Sequence, residues 1–437
     1  MHYFIVFAVF LVWSGCRMDS PVDAQVLVHD EADNNRFKLD TVTIETAADL
    51  WTGRGERFDI RGNLKLNLLD LLFSPSIGEI QTADDMIESA RTDEGGNVKP
   101  RLTYDPLYGQ VVADDFDSLN YLTTFYNFEK AWSYFENVVG DSSGGTDDFG
   151  LIGFHGTIVV HSALPIPFPG VPAADNALFY TLSDTWLTLP VHDQGGIPFS
   201  MNDAVIAHEF QHRIFFKNVV DGPAFTYWFN QFRELAADEN NPGPPSESNE
   251  QTTVTDVSLS MILFRGVDEG LADVFALGLH GNPRFMDMSL QDAPLSVPKF
   301  SAVSEQRDIE GDFASEMTFE VLLDPGVDAC GGSIYQSQFN HYCLGTVLAR
   351  TVWDATDRNP TVLQDAFLPA INSALSNTGE RIAAASEDSG EFTFDLGFLL
   401  EPIAQELRSS GYAEDFCREV QIRFGSIVDG GGVPSCE

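Results

Sequence analysis

The sequence predicts an α+β chain, with strands concentrated in its first half and helices dominating its second. Two patterns carry this expectation. Short alternating apolar and polar runs bounded by turn residues occur before residue 190, whereas long apolar stripes of helical period begin at residue 119 and recur after residue 203. The 437 residues are 43% hydrophobic and include 34 Phe, enough to fill a sizeable core and to suggest two or three lobes.

Thr41-Val42-Thr43-Ile44-Glu45 alternates as a strand does, while the Leu-rich run from Leu64 to Phe73 fits either strand or helix. The stretch from Asp93 to Pro100 reads as loop. From Leu119 to Val139, residues Leu122, Phe125, Phe128, Trp132 and Phe135 fall on one side of a helix, which the Gly/Ser/Asp turn from Asp141 to Asp148 ends. Strands follow at Leu151 to Val160 and Leu178 to Pro190, separated by the Pro-rich stretch from Pro165 to Pro172. A helix is predicted over Asp203 to Phe216, with Ser200 and Asp203 as its capping pair. Beyond an exposed polar insertion at Asp238 to Val254, helices are predicted at Ser258 to Gly278, Leu344 to Ala355 and Leu363 to Leu375.

The first residues, MHYFIVFAVFLVWSGC, hold an apolar run from Tyr3 to Trp13 that is too short for a stable membrane span. They read as an export signal. Its Ser14-Gly15-Cys16 end resembles a bacterial lipoprotein signal, which would place a lipid anchor on Cys16; Trp13 departs from that pattern, as does the lack of Lys or Arg before the run. Without Cys16, the remaining Cys330, Cys343, Cys417 and Cys436 form an even set suited to an oxidising compartment. Three pairings are open, and the sequence-local one joins Cys330 with Cys343 and Cys417 with Cys436. An exported protein, extracellular or held in a bacterial envelope, is the expectation.

Charge narrows the partners. Lys and Arg number 24 against 66 Asp and Glu, a formal net charge of -42. Such a chain repels phosphate backbones, so nucleic acid is excluded as a partner. Clustered carboxylates also suit Ca2+, although no tight Asp-x-Asp-x-Asp loop is visible.

The chemistry concentrates in Ala207-His208-Glu209-Phe210-Gln211-His212. Four residues apart on a helix, His208 and His212 share one face and can reach one metal ion; Glu209 is placed to take a proton from activated water. Two histidines on an ordinary amphipathic helix are the plainer reading. A catalytic Zn2+ needs a third protein ligand, and two segments offer one. Glu269 and Asp273 are spaced i and i+4, as are Glu234 and Asp238; in each case the Glu would bind metal and the Asp would orient a ligand imidazole.

Together these segments resemble the gluzincin metallopeptidases, specifically the thermolysin and fungalysin-like secreted enzymes. Asn176-Ala177-Leu178-Phe179-Tyr180 is similar to the family's edge strand, implying that Asn176 and Ala177 bind substrate backbone. Asp268 to Ala276 is similar to the third-ligand helix, which favours Glu269 over Glu234 despite an unusually long gap after His212 that the polar insertion would explain. His341, followed by Gly345 and Val352-Trp353-Asp354, is similar to the segment whose His hydrogen-bonds the tetrahedral intermediate. The resemblance spans roughly Ser118 to Ala355.

The resemblance implies a two-lobed fold with zinc between a mixed N-terminal lobe and a mainly helical C-terminal one. The expected division is an export signal (1–16), a pro-segment or accessory lobe (17–110), a strand-rich catalytic lobe ending in the HEFQH helix (111–217) and a helical catalytic lobe (218–437). A zinc endopeptidase acting on protein or peptide substrate is then expected, with His208, His212 and Glu269 on the metal, Asp273 behind His208, and Glu209 and His341 catalytic. A surface lipoprotein or adhesin that keeps the fold as a binding scaffold, and a zinc hydrolase of non-peptide amides or esters, are the alternatives.

Overall fold

A computed structural model describes residues 21–30, 36–62, 88, 98–139, 156–160, 177–180, 185–188, 197–220, 256–285, 307–324, 340–388 and 394–436. The protein is mixed: among the described residues the strands end by residue 188 and helices predominate beyond it. It divides into two compact units. The first comprises residues 1–130, 153–192 and 198–203, and the second residues 131–152, 193–197 and 204–437.

The first unit holds two sheets. One has the order β2-β1-β7-β6, built from β1 (Val22–Asp30), β2 (Arg36–Ile44), β6 (Leu102–Asp105) and β7 (Gln110–Ala113). Here β1 runs antiparallel to β2 and parallel to β7, with Ala24 opposite Val111. The second has the order β3-β4-β5-β8-β10-β9, from β3 (Ala47–Asp49), β4 (Arg54–Gly55), β5 (Phe58–Gly62), β8 (Gly156–Val160), β9 (Ala177–Tyr180) and β10 (Thr185–Thr188). Helix α1 (Phe116–Val139) sends its first half into this unit, where Phe125 packs on Phe58 at 4.8 Å and Phe128 on Trp186 at 5.0 Å. Buried Glu129 accepts the Glu45 and Thr46 amides through one oxygen, at 2.8 and 2.6 Å, tying the end of β2 to the helix.

The second unit is helical among its described residues: α2 (Asp203–Phe215), α3 (Asp256–His280), α4 (Asn340–Ala355), α5 (Leu368–Asp388), α6 (Gly397–Ser410) and α7 (Ala413–Arg423), with shorter helical turns between them. Helix α2 runs on into a π-helical turn, Phe216–Val220, in which Asn218 Nδ2 donates to the Ile214 carbonyl at 2.8 Å. A disulfide joins Cys417 to Cys436. Cys343 is also disulfide-bonded; Cys330 lies outside the described residues, as do Cys16, Leu64 to Phe73, Pro165 to Pro172 and Asp238 to Val254. No helix among the described residues is long and apolar enough to cross a membrane.

One expectation needs correcting. Ser200 does not cap α2. It sits in a short 3-10 turn, Phe199–Met201, and its hydroxyl donates to Asn120 Oδ1 at 2.5 Å; Asn202 immediately precedes the helix. A buried hydroxyl takes the partner within reach, and here α1 supplied one first. Asp203 instead places its carboxylate in the first turn, where the helix dipole favours it, and Lys130 bonds it at 2.8 Å.

Candidate metal centre

Three helices of the second unit assemble the site. On α2, Ile206, Ala207, Phe210 and Ile214 are fully buried. Phe210 stacks on Phe275 of α3 at 5.8 Å and meets Trp132 edge-on, which fixes the rotation of α2 about its axis. That rotation turns the His208/His212 face toward α3, where Glu269 and Asp273 occupy one face at i and i+4.

Helices α3 and α4 cross at a pair of glycines. A Cβ added to Gly270 would lie 2.7 Å from the Gly345 carbonyl oxygen, and one added to Gly345 would lie 2.9 Å from the Gly270 nitrogen. Only residues without a side chain allow so close an approach. The crossing brings His341, one turn before Gly345, up to Glu269: His341 Nε2 lies 4.0 Å from Glu269 Oε1.

The resulting geometry has one focus. The Nε2 atoms of His208 and His212 are 3.1 Å apart, and Glu269 Oε2 is 3.1 Å from His208 Nε2. One ligand atom from each of these three residues falls within 4.8 Å of the others. Behind them, His208 Nδ1 lies 3.1 Å from Asp273 Oδ1, and His212 Nδ1 lies 2.8 Å from Asp268 Oδ1. A carboxylate only accepts, so Nδ1–H on each ring suits these neighbours and leaves Nε2 directed inward, although the Arg307 Nη2 donor also lies 3.1 Å from His208 Nδ1.

Two lone pairs and a carboxylate oxygen converging at such distances repel one another unless a cation sits among them. The set therefore fits a divalent metal, and its two-His, one-carboxylate chemistry suits zinc with a position left for water or substrate. With no cation among these groups, burial opposes charge on His212, but Asp268, Glu269 and Glu209 outweigh it and push its pKa up to about 10, so a proton takes the place that a metal would fill. The same burial would raise the Glu269 carboxyl, yet His208, His212 and Arg307 hold it well below the usual carboxylate range. Glu209, adjoining His208 on α2, is raised by its burial despite the facing histidines.

No protein-family model matches the chain, and no curated protein proves to be a relative. The site's own geometry carries its interpretation.

Of the residues singled out from sequence, His208, Glu209, His212, Glu269, Asp273 and His341 are all buried or nearly so within the second unit. Ala177 opens β9, at the edge of the six-stranded sheet in the first unit. Asn176 and Glu234 fall outside the described residues.

Three further side chains were not anticipated. Asp268 begins the segment that resembles a third-ligand helix, but its approach to His212 is not readable from spacing. Arg307, fully enclosed, donates from Nη2 to Asp273 Oδ1 at 2.6 Å and lies 3.5 Å from Glu269 Oε2. Burial disfavours its charge, but Asp273 and Glu269 keep it firmly cationic. The Tyr342 ring lies 5.1 Å from the same guanidinium and closes the other side.

Proposed function

We propose that the protein is an exported zinc-dependent metalloendopeptidase of thermolysin-like architecture, acting on protein or peptide substrates. The observation that carries this reading is the convergence of His208, His212 and Glu269, each histidine held by its own carboxylate, with Glu209 and His341 beside them.

Bound zinc would supply Lewis acidity, lowering the pKa of water and polarising the substrate carbonyl. The chain's own residues do the rest. Asp273 and Asp268 fix the tautomers of His208 and His212 and so keep two Nε2 lone pairs aimed at one point. The Glu209 carboxylate, whose pKa burial raises, accepts a proton from the attacking water and returns it to the departing amine. His341 donates from Nε2 to the oxygen that gains negative charge as the carbonyl is attacked. Arg307 balances Asp273 and Glu269, limiting the carboxylate charge that a substrate carbonyl must approach.

Metal analysis together with peptide cleavage tests the proposal. The purified protein should hold about one zinc per chain and cleave casein. Glu209→Gln should keep the metal and lose cleavage. Full activity in Glu209→Gln would overturn the mechanism.

A further inference from the structure

A cavity of about 410 Å³ lies in the second unit, and none of its lining residues belongs to the metal centre. Helix α6 forms one wall through Phe398, Glu401 and Gln405, α5 contributes Arg381, and the C-terminal segment adds Gly431 and Gly432.

These walls are held in place by the fold itself. A Cβ on Gly397 would collide with the Gly432 carbonyl oxygen, so the C-terminal segment rests directly on the start of α6. Gly431 has a φ of +77°, a conformation that favours glycine. Just beyond, Val433 is fully buried and Cys436 is disulfide-bonded to Cys417 of α7. Between them, Ser435 donates to buried Glu401 from its amide at 2.8 Å and from its hydroxyl at 2.6 Å. Gln405 Nε2 donates to the same carboxylate at 2.5 Å. With three donors on it, Glu401 belongs to the frame of the cavity.

Two other charges in the cavity are not consumed in this way. The Arg381 guanidinium stands over the Phe398 ring at 5.5 Å, and among the described residues no carboxylate reaches it. By contrast, Arg284, Arg307, Arg350, Arg358, Arg418 and Arg423 of the same unit each meet an Asp or Glu. Asp395 accepts the Gly397 amide through Oδ1 at 2.7 Å, while its Oδ2 takes no donor from a described residue. Arg381 and Asp395 thus bring opposite charges to one cavity without pairing with each other. A simple anion there would meet Asp395 and Glu401, and a simple cation would meet Arg381. A molecule with a carboxylate and an ammonium a few bonds apart satisfies both charges at once.

The geometry points to a binding site for a free α-amino acid, with its carboxylate on Arg381, its ammonium on Asp395 and its side chain beside Phe398. The volume lies within the range of small-molecule pockets, about 300–1,000 Å³.

Saturation-transfer NMR on the full chain, with the twenty free amino acids presented in pools, tests this. At least one should give a signal. Its N-acetyl and C-terminal amide forms, each missing one charge, should bind about tenfold more weakly or worse, the cost of losing a hydrogen bond to a charged group. Arg381→Gln and Asp395→Asn should each weaken the free amino acid to the same degree. The asparagine keeps an acceptor for the Gly397 amide, so the circular dichroism of both variants should match the parent. These readouts involve neither metal nor cleavage. No signal from any of the twenty overturns the inference. So does a blocked form that binds as well as the free one, or binding that survives both substitutions, which would belong to another part of the chain.

Discussion

Asp273 Oδ1 receives two partners at once: His208 Nδ1 at 3.1 Å and Arg307 Nη2 at 2.6 Å. One buried oxygen thus orients the His208 imidazole and is itself oriented by a guanidinium. Asp273→Ala should weaken zinc binding about 10- to 100-fold, the usual cost of losing a carboxylate behind a ligand histidine. Competition with a chromophoric chelator measures this directly. Affinity within twofold of the parent would show that Asp273 does not set the imidazole.

The third ligand is tested by a pair of variants. Glu269→Ala should purify with far less than one zinc per chain, while Glu234→Ala should retain its metal. Loss confined to Glu234→Ala would move the centre to the other carboxylate.

Arg307 should matter most before metal is bound. Arg307→Met leaves Asp273 buried without its cation, and breaking a buried pair in this way costs about 3–5 kcal/mol. Urea unfolding of the zinc-free protein should show a loss of that order, with partial recovery on adding zinc, since a ligand bound only by the folded form stabilises it. An unaltered midpoint would mean the guanidinium is dispensable.

Acid should attack the molecule at Asp354 as well as at the site. Burial raises its carboxyl, but the Arg350 hydrogen bond and the charges of Arg350, Arg358 and Arg423 prevail and lower it. The folded form therefore holds this proton less readily than the unfolded form. Its stabilisation is complete above the ordinary aspartate value of about 3.9 and disappears as pH falls through the lowered folded value. Denaturation midpoints of the parent and Asp354→Asn should differ clearly at pH 7 and converge below pH 4. A constant gap across that range would remove Asp354 from the acid response.

Gly270→Ala should lower stability by about 1–3 kcal/mol, the usual cost of overpacking a filled interior. It should also depress cleavage more than zinc content, because α4 carries His341 but none of the three metal-facing groups. Equal losses of metal and activity would argue that the crossing serves the metal ligands instead.

The chain shows its site unevenly. HEFQH and EGLAD were legible because helical spacing alone puts their functional side chains on one face. Asp268 was not, since it adjoins Glu269 and only the assembled helices reveal that it meets His212 rather than solvent. Arg307 lies in no periodic segment, and nothing local marks it among the 24 cationic residues. The strand-then-helix order was readable from the change of period, but α6 and α7 were not anticipated: Pro402 interrupts the pattern of the first, and the second is highly charged. The Ser200 cap failed for a tertiary reason, because Asn120 of another element claimed its hydroxyl.

At Gly270 and Gly345 the main chains of two helices rest directly on each other. The span from Glu269 to His341 is consequently set by peptide groups and is the same whatever side chains surround it. Enlarging or trimming neighbouring residues can reshape the walls around a bound molecule without altering that span. If descendants of this chain come to prefer different substrates, the change should be found in the walls and loops, while the gap between carboxylate and imidazole stays constant.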